Sequence, residues 1–501
     1  MLVWVVSCDV AHGGEIASSE ATNDTITKSV ETENADTTEK TYVTEVMDTD
    51  ETIDENNGVF KAGYAREVIT PELPAPIGTD IMTTVRDDLY ATCIAVSDGE
   101  HTALIYTVDL KNIGPKVYNS IQLRVSATTK VPRENIIISA THNHSAFTPL
   151  DNVTADSSES LKVWTLNFPL QMTEIAKAAI SDMEDAEIYT GSASTPGMAF
   201  IRRYVHEDGS YSGIMTGSHL KSTSKIVDQV ADIDDTLQLV RFVRKDKKDI
   251  VMVNWQAHLA QAIGVLRTSV TADLVYYVRE KVETDKNDAL VAYFAGASGN
   301  INLVPPNESM RKYTNYAMVG RALGSLIVDT MSLENLTKLN SGEIKGISTT
   351  YAAEIRKESA EKVRQAREVM ALKEGSAEQW ALMAKYGFES LYAPRTIISC
   401  DNITDTHREF NLGSVSFGDL AFVAAPYEMF DNNGVQIKEA SPFEVTFILT
   451  GAGGYWAYLP SIEYCTEYGG YEVDDTKFAF GTAEKLVAEY IRMLNEHKGI
   501  S

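Results

Sequence analysis

The order of apolar runs along the chain predicts a mixed α/β fold, one large domain over residues 58–498 with a helical-hairpin excursion. Three observations predict it. Short β-branched and apolar runs pair across tight turns three times, and helical segments are interleaved among them without a clean βαβ rhythm. No internal repeat divides the chain. Its 501 residues are 44% hydrophobic and 23% charged, an ordinary globular composition with ample material for a large core.

The elements follow in order. Asp88–Ser97 and Thr102–Leu110 form a hairpin turned at Asp98-Gly99-Glu100, and Tyr118–Ala127 reads as a helix. The β-branched run Ile136-Ile137-Ile138 is a strand. Leu170–Met183, just after Pro169, is helical, and Glu187–Ala193 is a strand. Leu237–Arg244 and Ile250–Trp255 make a second hairpin around the polar turn Lys245–Asp249. A helix over Ala272–Val282 precedes the apolar strand Ala289–Ala295, which runs into a Gly-rich loop, Gly296 to Asn302. Helix Tyr316–Met331 and strand Ile344–Glu354 come next. Ser359–Tyr386, rich in Ala, Glu, Lys, Arg and Met, reads as a helical hairpin broken at Gly375-Ser376. Asn411–Ser416 and Leu420–Ala425 form the third hairpin, turned at Phe417-Gly418-Asp419. Strand Glu444–Leu449, a Gly/Tyr-rich loop and helix Thr482–Glu496 close the domain.

The net charge of −27 argues against nucleic acid or an anionic membrane surface as the main partner. Much of it is local: between Asp9 and Asn57 fourteen Asp and Glu face two Lys, a net −12, which leaves −15 elsewhere. That segment, residues 9–57, reads as a disordered acidic stalk. The apolar octet Met1–Cys8 ends in a small residue and a cysteine, like the tail of a lipoprotein signal segment with Cys8 as the lipidated residue. It lacks a basic region and is too short to insert alone. The expectation is an extracytoplasmic protein, secreted or lipid-anchored, with peripheral membrane association through Cys8. None of the four cysteines has CxxC spacing, so any metal must be held by His and carboxylate. Cys93 and Cys400, in apolar runs, read as inert buried thiols.

Chemistry gathers where strands stop. His142 and His144 follow the run Ile136–Ala140, and strand alternation would place both imidazoles on one face. Asp109, His258, Asp273 and Glu428 also follow apolar strands or open the helix beyond one. Several His and carboxylate side chains delivered this way close a zinc site of three or four ligands with an open position. Spacing alone leaves open which of them converge.

Eight segments, in order, carry a resemblance. They are Gly63–Pro71, Thr141-His142-Asn143-His144-Ser145, Phe200–Arg203, Asp234–Phe242, Asn254–His258, Gly296–Asn302, Ala424–Glu428, and Tyr455–Tyr458 with Gly469–Glu472 behind it. Together they resemble the neutral/alkaline (non-lysosomal) ceramidase family over its zinc-dependent catalytic domain. The resemblance implies Zn²⁺ held by His142, His258, Glu428 and Tyr458. His144 becomes either a supporting residue behind the ligands or the proton-transfer residue, with Tyr458 or Arg202 stabilising the oxyanion. Asp109, Gly296, Ser298 and Asp273 fall where substrate would be bound. Departures are equally specific: Gly296 stands where the family carries a serine, Ser298 is offset by two, Asn300 replaces an Asp, and the C-terminal immunoglobulin-like domain is missing. The implied activity is hydrolysis of an amide bond, in an N-acyl lipid such as ceramide, by metal-activated water. The competing expectations are a hydrolase of a small polar amide, ester or cell-wall fragment, and an inactive surface binding protein on the same fold.

Overall fold

Period-two alternation along fully buried strands decides how the layers of this chain stack. In the computed structural model, which describes residues 60–213, 222–256, 266 and 268–500, strand Asp249–Trp255 is buried at every position. Ile250 and Met252 nevertheless belong to one core, and Val251, Val253 and Trp255 to another. Strand Leu420–Ala425 divides in the same way, Leu420, Phe422 and Ala424 on one side and Ala421, Val423 and Ala425 on the other. A strand with two apolar faces must be covered on both.

The first sheet has nine strands among the described residues. Its spatial order is Ala289–Ala295, Asp249–Trp255, Thr236–Arg244, Glu184–Ser194, Lys61–Val68, Tyr90–Ser97, Thr102–Val108 and Ile136–Ala140, with Thr337–Leu339 pairing Glu184–Ser194 off this path. Only the two outermost pairs are parallel. The second sheet runs Ile344–Glu354, His407–Phe417, Leu420–Ala425 and Val445–Thr450, its last pair parallel. The inner faces of the two sheets share a core that joins Phe60, Ile105, Phe242 and Phe294 to Phe417, Phe422 and Phe447. Helices Pro115–Thr129 and Glu159–Ser181 cover one half of the first sheet's outer face, and Leu274–Asp285 with Tyr316–Thr330 the other. Asp431–Ala440 and Thr482–His497 cover the second sheet. Each buried Val, Leu, Ile or Phe contributes roughly 1.5–3 kcal/mol of transfer free energy to this stack.

The three expected hairpins are present, as are strands Ala289–Ala295 and Ile344–Glu354. One expectation is corrected. The helix expected to start after Pro169 begins at Glu159 and runs through the proline. Pro169 lacks a backbone N–H, an interior helix cost of about 3 kcal/mol. Leu161, Trp164 and Phe168 share one core with Met172, Ile175 and Ala179, so the continuous apolar stripe outweighs that cost. The helical hairpin expected over 359–386 is present, and a third helix follows it. Ala360–Met370 and Ala377–Tyr386 are capped by Ser359 and Ser376 as their sequence suggests, and Tyr392–Asn402 adds a third. They enclose a small core of their own, Ala366, Val369, Met383, Phe388, Ala393 and Ile397.

Cys93 and Cys400 are buried. No described helix is long and apolar enough to cross a membrane. The expected signal segment at 1–8 and stalk at 9–57 lie outside the described residues.

Candidate active site

The histidine pair is built by a turn, and the expectation of strand alternation is corrected here. Strand Ile136–Ala140 ends before the first histidine, and His142 adopts φ +58. Backbone bonds from Thr141 N–H to Val108 (2.9 Å) and from Asn143 N–H to Leu110 (3.1 Å) carry the chain past the strand end. The Asn143 amide then accepts from Ser145 N–H at 2.9 Å and donates to the Thr271 carbonyl at 2.6 Å. This brings the two rings edge to face, centroids 4.7 Å apart, with their Nε2 atoms at 3.0 Å. Sequence spacing predicted the encounter; the left-handed turn makes it.

His142 is oriented for ligation. Its Nδ1 lies 3.0 Å from the Lys111 carbonyl, which can only accept, so Nδ1 carries the proton and Nε2 presents a lone pair. Glu428 Oε2 stands 3.3 Å from that Nε2. Both side chains are almost fully enclosed, at 4% and 3% exposure, so water does not screen the pair. Atoms bound to a tetrahedral zinc at about 2.0–2.1 Å lie roughly 3.3–3.4 Å apart, and the observed separation suits a shared ion. An imidazole nitrogen and a carboxylate oxygen are donor types that zinc takes. Among the described residues no group of three His, Cys, Asp or Glu side chains is arranged to hold one. The expected set draws only His142 and Glu428 of those types from the described part, and His258 lies outside the described residues.

Glu428 reaches this point on a two-residue strand, Glu428–Met429, paired in parallel with Tyr458–Leu459 so that Glu428 and Tyr458 are direct partners. The Gly-rich loop fixes the strand from the other side. Gly299 N–H donates to the Met429 carbonyl at 2.7 Å, and a Cβ at residue 299 would meet the Glu428 carbonyl at 2.7 Å. Glycine is required for that approach. Asn300 binds Asp431 N–H through Oδ1 and donates to the Tyr464 hydroxyl. Gly296 packs over the end of strand Asp249–Trp255, its N–H donating to the Trp255 carbonyl. Ser298 is buried in the same loop.

A third group lies beside Glu428. The Tyr458 hydroxyl is hydrogen-bonded to that of Tyr471, and the Arg202 guanidinium lies over both rings, 5.3 and 5.1 Å from their centroids. Arg202 also pairs with Glu472 at 2.6 Å and donates to the Gly299 carbonyl at 2.5 Å. Burial, reinforced by the Glu428 charge, pushes the Tyr458 phenol well above its usual range and keeps it protonated.

The two remaining acids are placed differently. Asp109 is engaged on both oxygens by Arg279, at 3.1 and 2.6 Å, and accepts Tyr90 N–H. Asp273 is fully buried and caps helix Leu274–Asp285, accepting Leu274 N–H at 2.7 Å from a backbone at φ +56. Among the described residues only Lys130, His142, Asp273 and Ala457 depart from negative φ without being glycine. Two of these are expected site residues, Ala457 precedes Tyr458, and Lys130 caps the C-terminus of helix Pro115–Thr129. Strained backbone concentrated in this way marks positions that the surrounding structure holds for a purpose.

Three participants were missed by sequence reasoning. Tyr455 donates to Glu428 Oε1 at 2.5 Å and stacks on His142, while Tyr471 and Glu472 engage Tyr458 and Arg202. All three lie inside the segments that carried the family resemblance, but a single tyrosine has no spacing that announces a role.

A two-sheet mixed α/β fold with this loop arrangement is the fold of the neutral ceramidases. The neutral ceramidase from Pseudomonas aeruginosa matches with a TM-score of 0.64 at 15% identity, over 89% of this chain and 75% of its own. A ceramidase complexed with C2 matches at 0.63 and 16% identity, over 89% and 76%. No protein-family model and no curated protein sequence matches the chain.

Proposed function

We propose that this chain is a zinc-dependent hydrolase that cleaves an amide bond, with N-acyl lipids such as ceramide as its substrate class. The observation that carries the reading is the pair His142 Nε2 and Glu428 Oε2, 3.3 Å apart with the imidazole tautomer fixed by Lys111. The two structural neighbours, both named as ceramidases, support it at the level of fold. His142, Glu428, Tyr458 and His258 would hold the ion. Zn²⁺ bound there supplies Lewis acidity, lowering the pKa of water toward about 7 and polarising the scissile carbonyl. His144, whose Nε2 lies 3.0 Å from His142 Nε2, would hand a proton to the leaving amine. Arg202, whose guanidinium lies over the Tyr458 ring, or Tyr458 itself would stabilise the developing oxyanion. Gly296 offers no hydroxyl, which favours attack by water over an acyl-enzyme.

Metal analysis with and without His142→Ala, together with fatty-acid release from labelled ceramide, tests this. Stoichiometric zinc and ceramide turnover, both lost in the variant, are expected; zinc that survives the substitution removes the ligand assignment. A second reading, with a small polar amide or ester as substrate, draws on one observation. Among the described residues, Thr141 Oγ1, Ser145 Oγ and Gln256 Nε2, which flank the candidate ligands in sequence, are buried without a hydrogen-bond partner. Turnover of short N-acyl amides in preference to ceramide would select it.

A further inference from the structure

The two oxygens of Glu428 have different neighbours. Oε2 faces His142 Nε2 at 3.3 Å, whereas Oε1 accepts the Tyr455 hydroxyl at 2.5 Å. The Tyr455 ring also lies along the His142 imidazole, centroids 5.9 Å apart and planes at 26°. One side chain therefore braces both members of the candidate ligand pair. Its own position is set by backbone, because Trp456 N–H donates to the Pro426 carbonyl at 2.8 Å and Glu428 N–H to that of Ala457 at 2.8 Å. Segments 426–429 and 455–459 thus run side by side, and the register that pairs Glu428 with Tyr458 also delivers the Tyr455 hydroxyl.

A carboxylate can bind a metal through one oxygen or through both, and the choice changes how many coordination positions remain. Catalytic zinc sites keep one open for water or substrate. A hydrogen bond from a phenol to an ionised carboxylate is short and charge-assisted, and it competes with the metal for that oxygen. We infer that Tyr455 is a positioning residue: by holding Oε1 it confines Glu428 to ligation through Oε2 and so preserves the open position. Outer partners of ligating groups commonly change metal affinity 10–100-fold when removed. The inference rests on the metal site proposed above and specifies how that site is held.

The test uses the full chain and Tyr455→Phe, which keeps the ring on His142 and removes only the hydroxyl. Zinc affinity is measured by chelator competition, and the Co²⁺-substituted proteins are compared by visible absorption. The variant is expected to bind zinc about 10–100-fold more weakly. Its cobalt bands should lose intensity as the freed carboxylate raises the coordination number. Equal melting temperatures of the two metal-free proteins separate this from misfolding. Identical zinc affinity and identical cobalt spectra overturn the inference while leaving the metal site intact; a wild-type chain that binds no zinc overturns the site itself. The wild type alone supplies an independent check, by zinc-loaded minus metal-free infrared difference spectra of ¹³C-glutamate protein. The carboxylate stretches should show single-oxygen ligation, and a chelating pattern overturns the inference whether or not the variant folds.

Discussion

The two sides of the candidate site are built by opposite means. On the histidine side, the loops are continuations of regular strands, and their positions are fixed by backbone bonds. Thr141 and Asn143 extend the pairing of strand Ile136–Ala140, and Asp109, at the end of the neighbouring strand, is clamped by Arg279. On the tyrosine side, Tyr458, Tyr471, Arg202 and Glu472 hold one another through their side chains, and three of them ride on short elements, the two-residue strand Tyr458–Leu459 and the five-residue helix Tyr471–Asp475. Backbone ladders are insensitive to pH and to single side-chain changes. Side-chain networks respond to both, and their members are coupled. A site assembled this way holds His142 through backbone bonds and concentrates its coupled, pH-responsive groups around Tyr458.

Four measurements break or sharpen that contrast. Arg279→Ala leaves Asp109 buried and uncompensated beneath the histidine loop, and should destabilise the fold by about 3–5 kcal/mol in denaturant unfolding. Loss below 1 kcal/mol would mean that the clamp carries no weight on the histidine side. Gly299→Ala drives a methyl group into the Glu428 carbonyl and should cost about 1–3 kcal/mol by the same measurement.

Acidity probes the other side. Burial, with help from Glu389, pushes the Asp474 carboxyl up to about 7, against 3.8 in an unperturbed chain, and the Ser390 hydroxyl only partly offsets this. Between those values the folded state keeps a proton that the unfolded chain has released. Asp474 therefore subtracts stability progressively as pH rises from about 4 to about 7, and by its full amount above. Asp474→Asn should match wild type below pH 4 and melt progressively higher across that window; parallel melting curves at every pH contradict the assignment. The smallest effect belongs to Tyr471→Phe, which removes one hydrogen bond to Tyr458, worth about 0.5–1.5 kcal/mol. Turnover should fall no more than about tenfold, and zinc affinity should fall as well, because Tyr471 is an outer partner of the proposed ligand Tyr458. Unchanged zinc affinity would count against Tyr458 as a ligand.

Much of this molecule is written in local pattern. The run Ile136–Ile138, the hairpin turns at Gly99 and Gly418 and the capping serines 359 and 376 each encode their element through interactions a few residues apart. The sequence by itself also singled out His142 and Glu428, and the family resemblance added Tyr458 and Arg202; the fold gathers the four on and around a single two-strand seam. Only the tertiary structure decided the rest. It turned His142 into a left-handed conformation, withdrew Asp109 into an ion pair, carried a helix through Pro169 and set Tyr455 against Glu428. The reason is range: backbone preference and alternation act within a few residues, whereas a hydrogen bond or ion pair between groups 27 or 170 positions apart exists only after the sheets have packed.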